Sequence, residues 1–340
     1  MPVTSMPGSR RGLLLAGGGL VLPRLAIAQE ARALRIAVQF GITYLPLTVI
    51  REQRLIEREA RAAGLPEPNI DWVQVSGGAA MNDALLSGNL DIGSAGIPPV
   101  VLLWARSRSN LKVHAFASLV AAPLWLNTRT PSVRTIHDFG PNDRIALPAV
   151  RVSFQAVVLQ MAAEQAFGEG QHARLDPLTV SLPHPDATAA LLGGRSEITA
   201  HFGNPPFQNQ QLEQPGIRRV LSSYDVAGGR HSVTLLYATQ RWRDANPRTL
   251  GAFRAALDAA NAWITANPRQ AAELYVRAER SSLTVDFVEA LIRHPDHRFT
   301  TEPEGVQRFA DFQHRIGQIP VRPGAWQELF FPEAQGGAGS

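Results

Sequence analysis

Cysteine is absent from the 340 residues. That excludes disulfides, thiolate metal sites, thiol catalysis and a lipidated N-terminal cysteine. Lysine is almost absent too: of the 33 basic residues only Lys112 is a lysine, and the rest are arginines. No stretch reaches about 18 uninterrupted apolar residues, so no segment reads as a membrane span. Catalytic signatures are also missing. The sequence contains no G-x-S-x-G elbow, no G-x-x-x-x-G-K-[ST] phosphate loop, no H-E-x-x-H, and no G-x-G-x-x-G after the first expected strand.

The formal charge of +4 is concentrated at one end. Residues 1–28 hold Arg10, Arg11 and Arg24 and no acid, and without them 30 basic residues face 29 acidic ones. No later Lys/Arg run occurs, which excludes a nucleic-acid partner. The same 28 residues read as an export signal. Ser9-Arg10-Arg11 is followed by an apolar run over 12–22 and by Ala26-Ile27-Ala28, an A-x-A cleavage site. The arginine pair resembles that of a twin-arginine signal, with general secretory export the alternative, and cleavage after Ala28 would leave a soluble protein in the periplasm.

What remains alternates strand and helix. A strand is expected over 34–40, a helix over 47–63 with Gly64 as its cap, and a strand over 70–75. A helix over 79–86 follows Ser76-Gly77-Gly78, then the strand "LDIGSAG" and the helix "IPPVVLLWARS", with prolines in its first turn. "LKVHAFASLV", "DRIALPA" and "LDPLTVSLP" read as further strands, "VSFQAVVLQMAAEQAFG" as a helix, and 186–192 as a short one. "VTLLYATQRW" reads as a strand before helices over Pro247–Ala266, Pro268–Ala278, 284–292 and 304–316. The tail 335–340 is expected to be disordered. With 45% hydrophobic content the chain can fill two domains, and the alternation predicts an α/β fold with mostly parallel sheets flanked by helices.

The sequence also echoes itself. "ALLSGNLDIGSAGIPPV" from Ala84 and "ALLGGRSEITAHFGNPPF" from Ala190 share Ala-Leu-Leu-x-Gly-x-x-acid-Ile, then a small or polar stretch, then Pro-Pro. The offset is 106 residues at the alanines and 107 at the prolines. Each copy spells helix, glycine stop, strand, and a turn into a new helix with Pro-Pro in its first turn. The acids, Asp91 and Glu197, are expected to make structural hydrogen bonds or ion pairs. Two similar α/β lobes would place their ligand beyond the C-terminal strand ends, where helix N-termini present free N–H groups. Five loops fit: 41–46, 76–78, 94–98, 149–154 and 201–206. The candidate ligand-binding residues are Thr43, Tyr44, Ser76, Gly77, Gly78, Ser94, Gly96, Ile97, Arg151, Ser153, His201, Phe202 and Asn204.

The leader, the loop "GITYLPL", and the segments "ALLSGNLDIGSAG", "TIHDFGPNDRIAL" and "GGRSEITAHFGNPPF" together resemble periplasmic substrate-binding proteins of ABC importers. The resemblance is to the nitrate/sulfonate/taurine group, which is related to pyrimidine-precursor-binding proteins, and it runs in order through the mature chain. It implies a two-lobed, type II-like binding fold with a hinge: lobe 1 from 29–119 plus 236–334, and lobe 2 from 120–235. It implies capture of a small anion between the lobes, delivery to an ABC permease with its ATPase, and a monomer without catalytic activity, cofactor or metal. Two other functions stay open: an enzyme on this fold related to pyrimidine-precursor synthases, and a periplasmic ligand-sensing adaptor.

The loop at 149–154 departs from the Gly-Ser-Ser/Thr type of the sulfonate-binding relatives. Arg151 there is either a bidentate anion clamp or a solvated arginine. His201 is either a ligand contact or a structural histidine. His294 and His297, separated by Pro and Asp, read as a polar turn rather than a metal site.

Overall fold

The computed structural model describes residues 33–194 and 196–337, with Met1, Thr4, Glu30, Gly339 and Ser340. Apart from Met1 and Thr4, the expected export signal lies outside the described residues. The chain begins with β1 (Ala33–Val38), α1 (Leu45–Gln53), α2 (Leu55–Ala62), β2 (Asn69–Gln74), α3 (Gly78–Leu86), β3 (Gly93–Ala95), α4 (Ile97–Ser107) and β4 (Val113–Ala121). It continues through β5 (Trp125–Thr128), β6 (Ile145–Leu147), α5 (Phe154–Phe167), β7 (Thr179–Ser181), α6 (His184–Gly193), β8 (Ala200–Phe202), α7 (Phe207–Leu212) and β9 (Arg218–Ser222). It then returns by α8 (Ser223–Ala227) and β10 (Ser232–Thr239). The last part is α9 (Gln240–Ala245), α10 (Pro247–Ala266), α11 (Pro268–Ala278), α12 (Val285–Ile292), β11 (Arg298–Phe299) and α13 (Val306–Arg315).

Two sheet systems result. In the first lobe β1 pairs in parallel with β2, and a parallel bridge from Ile36 to Ile92 ties that pair to the sheet β11-β4-β10-β3. The second lobe holds the five-stranded sheet β7-β6-β8-β5-β9. Both are mixed rather than mostly parallel. β6 runs parallel to β7 and β8, whereas β5 is antiparallel to β8 and β9, and β10 is antiparallel to β3 and β4. The cause is connectivity: a chain that leaves one lobe and returns to it must run its crossing strands against those built by β–α–β steps. At the crossing, Ser118 Oγ donates to Ser232 Oγ at 2.8 Å, and that oxygen also accepts the Glu304 amide at 3.0 Å.

The single helix expected over 47–63 is two helices. Arg54 sits in the left-handed region at φ 52° and separates α1 from α2. In one straight helix Leu55 would turn away from Val49 and Ile50, because five or six residues do not return to the same face. The break lets Leu55 and Ile56 bury together. The strands β5 and β9 were not anticipated. The tail expected to be disordered is tied down at its described residues: Gln335 Nε2 donates to the Gln327 and Phe330 carbonyls, and the Ser340 amide donates to Pro303 O at 3.1 Å.

One buried cluster packs Leu34, Ile36, Ile50, Phe116 and Phe253 under the first-lobe sheet. Another runs from Ile97 and Val100 on α4 through Leu124 and Leu126 to Phe154 and Val157 on α5. The two lobes therefore share apolar surface immediately beside the site.

Candidate functional site

Between the lobes lies a cavity of about 40 Å³. A buried water takes about 10–15 Å³ on this measure, so the space suits a compact polar group. The first lobe contributes Gln39, Thr43, Tyr44, Gly78, Gly96 and Pro99, and the crossing contributes Leu124, Val233 and Thr234. The second lobe supplies Pro148, Ser153, Phe154, Gln155, His184 and Asn204. No arginine, lysine, aspartate or glutamate is among them.

Three helices begin at this cavity. Gly78 is the first residue of α3, Gly96 caps α4, and Ser153 caps α5, its Oγ accepting the Ala156 amide at 3.2 Å. The leading turns of these helices present unpaired N–H groups and the positive ends of their dipoles. Pro98 and Pro99 have no N–H, so α4 can offer only its Gly96 and Ile97 amides. The lobes meet at the cavity's rim. The Ile42 amide donates to Pro205 O at 3.0 Å, and Asn204 Nδ2 donates to Phe40 O at 3.3 Å. Gly41 allows this contact. Its φ is +115°, and a Cβ there would lie 2.8 Å from both Asn204 Nδ2 and Pro205 O. Asn204 lines the cavity, and its Oδ1 is buried with no hydrogen-bond partner among the described residues.

Of the thirteen candidates, Thr43, Tyr44, Gly78, Gly96, Ser153 and Asn204 line the cavity. Tyr44 OH donates to Ser94 O at 3.2 Å, and burial raises its phenol above the ordinary value. Gly77 caps α3 one residue behind the wall, while Ser76 is exposed. Ser94 is fully buried, and its hydroxyl donates to Ala37 O at 2.5 Å. Ile97 and Phe202 are core side chains. Arg151 does not reach the cavity. Its side chain is 75% exposed, with Asp176 the nearest acid at 3.9 Å, because the left-handed backbone at φ 65° turns the loop outward. His201 is fully buried in β8 behind His184, its Nε2 2.9 Å from His184 Nδ1. His184 therefore takes the place in the wall expected of His201.

The histidine that sequence reasoning missed had a signal. "LPHPD" sets His184 between two prolines where β7 turns into α6, the same strand-to-helix grammar as the two echo turns. Phe154 and Gln155 follow directly on the cap at Ser153. Among the described residues no group of three or more potential ligands could hold a metal ion. His297 Nδ1 bonds the Leu291 carbonyl at 2.7 Å, and desolvation lowers its pKa to about 4, as suits a turn histidine.

Two α/β lobes, two crossing strands and a cavity fed by helix N-termini define the fold of the periplasmic binding proteins. Structural comparison gives the same answer. The alkanesulfonate-binding protein of Xanthomonas axonopodis pv. citri bound to MOPS superposes with a TM-score of 0.69 at 17% identity, over 86% of this chain and 96% of that one. The periplasmic nitrate-binding protein of Synechocystis PCC 6803 superposes with a TM-score of 0.66 at 12% identity, over 89% and 85%. At such identities the likeness establishes the fold. In sequence, the chain is 26% identical over 223 residues to the "Putative aliphatic sulfonates-binding protein" of Escherichia coli (strain K12). That match spans 63% of this chain and 62% of the relative. No family model matches the sequence.

Proposed function

We propose that this chain is the periplasmic solute-binding component of an ABC importer. It captures a small oxyanion-bearing solute between its lobes and hands it to a permease driven by an ATPase. The carrying observation is the cavity itself: three helix N-termini converge there without a charged side chain. Neutral donors and helix dipoles stabilise an oxyanion and place no fixed counter-ion against its release. The relative named for aliphatic sulfonates and the nitrate-binding structural neighbour support that solute class. Export through the leader 1–28 and action as a monomer belong to the same proposal.

Asn204 Oδ1 narrows the solute. An acceptor buried without a partner costs stability unless a donor reaches it, so the best solutes carry a hydroxyl or amino group near the oxyanion. An enzymatic role finds no support in the wall, where the Ser153 hydroxyl is committed to capping α5. The test is a thermal-shift and calorimetry panel of nitrate, ethanesulfonate, isethionate and taurine. At least one should raise Tm saturably and remain chemically unchanged. No response to any of them would overturn the reading.

A further inference from the structure

We propose that His184 reads the acceptor atom of the solute through an Nε2–H, and that a one-way hydrogen-bond train anchored on the main chain of α7 fixes this tautomer. The inference rests on the solute-binding reading of the cavity and adds a specificity residue to it.

The train starts at a group whose polarity is not adjustable. The carbonyl oxygen of Gln208 accepts from Asn127 Nδ2 at 2.9 Å, so the Asn127 amide has one orientation. Its other N–H meets Gln211 Oε1 at 3.0 Å, which fixes the Gln211 amide in turn. Gln211 Nε2 then donates twice, to Thr188 Oγ1 at 2.9 Å and to His201 Nδ1 at 2.6 Å. With Nδ1 accepting, neutral His201 carries its proton on Nε2 and donates to His184 Nδ1 at 2.9 Å. His184 must then carry its own proton on Nε2, the atom on the side of Gln155 and the cavity. Reversing Gln211 alone would set its amide nitrogen against that of Asn127, two donors face to face, and reversing the whole train would set Asn127 Oδ1 against the Gln208 carbonyl, two buried acceptors.

Both rings are neutral. Desolvation lowers His184 to about 3, and desolvation first, then the neighbouring His184, holds His201 well below its ordinary value. Phe207 stacks on the His184 ring at 5.9 Å and 21°, which holds its plane. Gln155 Nε2 lies 3.2 Å from His184 Nε2. The Gln155 side chain has no other hydrogen bond among the described residues, so its amide can turn to offer Oε1 and give way to a solute oxygen. The cavity therefore meets its solute with a neutral, oriented donor: an oxyanion or carbonyl oxygen fits there and a donor group does not.

The test uses the full mature chain with 15N-labelled histidine. Two-bond 15N–1H correlation should show His184 and His201 protonated on Nε2 alone, and a proton on His184 Nδ1 would overturn the train. Gln211→Glu turns the relay's donor into an acceptor without touching the cavity. It should move the His201 proton to Nδ1 and weaken binding of ethanesulfonate or nitrate about tenfold, a shift of about 1.4 kcal/mol. If that variant does not fold, a pair at the wall decides. His184→Phe should lose about tenfold or more, while His184→Gln, which keeps an N–H, should stay within about threefold. Equal binding by wild type and His184→Phe would remove His184 from recognition and leave the solute-binding reading standing. Failure of every probe on the wild type would overturn the solute class, and the tautomer spectrum would still decide the train.

Discussion

The two echo segments are built from the same words and do different work. In the first, β3 passes through Gly96 into α4, an eleven-residue helix with Pro98 and Pro99 in its first turn, as the sequence implies. In the second, β8 leads through Gly203, Asn204 and a cis Pro205–Pro206 bond to α7, and the helix begins only at Phe207, after both prolines. With six residues, α7 offers no helix-end site. It contributes the Gln208 carbonyl and Gln211 amide that hold the histidines in line, while Asn204 reaches the cavity from the turn. The acids diverge as well. Asp91 takes Arg35 Nε and Nη2 at 3.0 and 2.9 Å and the Arg35 amide at 2.8 Å. Glu197 is exposed and has no ion-pair partner among the described residues. A repeated motif thus conserves chain direction, whereas the first copy serves the site with backbone and the second with side chains.

Breaking the backbone copy should have the largest effect. A Cβ on Gly96 would lie 2.8 Å from Phe154 Cβ on the opposite lobe. Gly96→Val should cost about hundredfold in calorimetric affinity for whichever probe binds, near 3 kcal/mol. The ligand-free melt should fall far less, because opening the lobes relieves the contact.

Acid should strike the side-chain copy next. The titratable group facing His184 is His201 from β8, and Gln155 from α5 and Phe207 from α7 are uncharged. Both histidine pKa values lie below the unfolded value of about 6.5, so the unfolded chain binds more protons between the two. Their contribution to stability is complete above about pH 6.5 and is lost as pH falls toward 3, at roughly 1 kcal/mol per pH unit for His184. Chemical denaturation from pH 8 to 4.5 measures it, and His184→Gln should flatten the slope.

The acid pair comes third. Asp91→Ala should cost about 1–2 kcal/mol by removing charge-assisted bonds to a half-exposed arginine, whereas Glu197→Ala should stay within about 0.5 kcal/mol in the same denaturation assay. Asn204→Leu should give the smallest change: a preference for isethionate or taurine over ethanesulfonate, about fivefold to tenfold in wild type, should disappear in parallel titrations.

Much of the architecture was legible because it is local. Pro247–Ala266 and Pro268–Ala278 are helices at their expected bounds, since each opens on a proline and Asn267 before Pro268 cannot stay helical. Gly168 ends α5 as expected. The short strands β5 and β9 are only four and five residues long, so only their pairing partners define them. At the site, the loops were legible and the side chains only partly so. Thr43, Tyr44, Gly78, Gly96, Ser153 and Asn204 lie in the wall because strand-to-helix turns must gather there.

The sequence by itself determined the order of strands and helices, the paired turns and the end of the sheets at which a cavity forms, because periodicity, caps and prolines act within a few residues. Tertiary structure alone decided which atoms face that cavity. Arg151 turns outward on a left-handed backbone, and His201 stands one ring behind His184 in a train of donors drawn from β5, α6, β8 and α7. Residues that meet across 10 to 84 positions of chain leave no spacing to read, and the direction of a proton in a buried ring is set by the carbonyl at the far end of its hydrogen bonds.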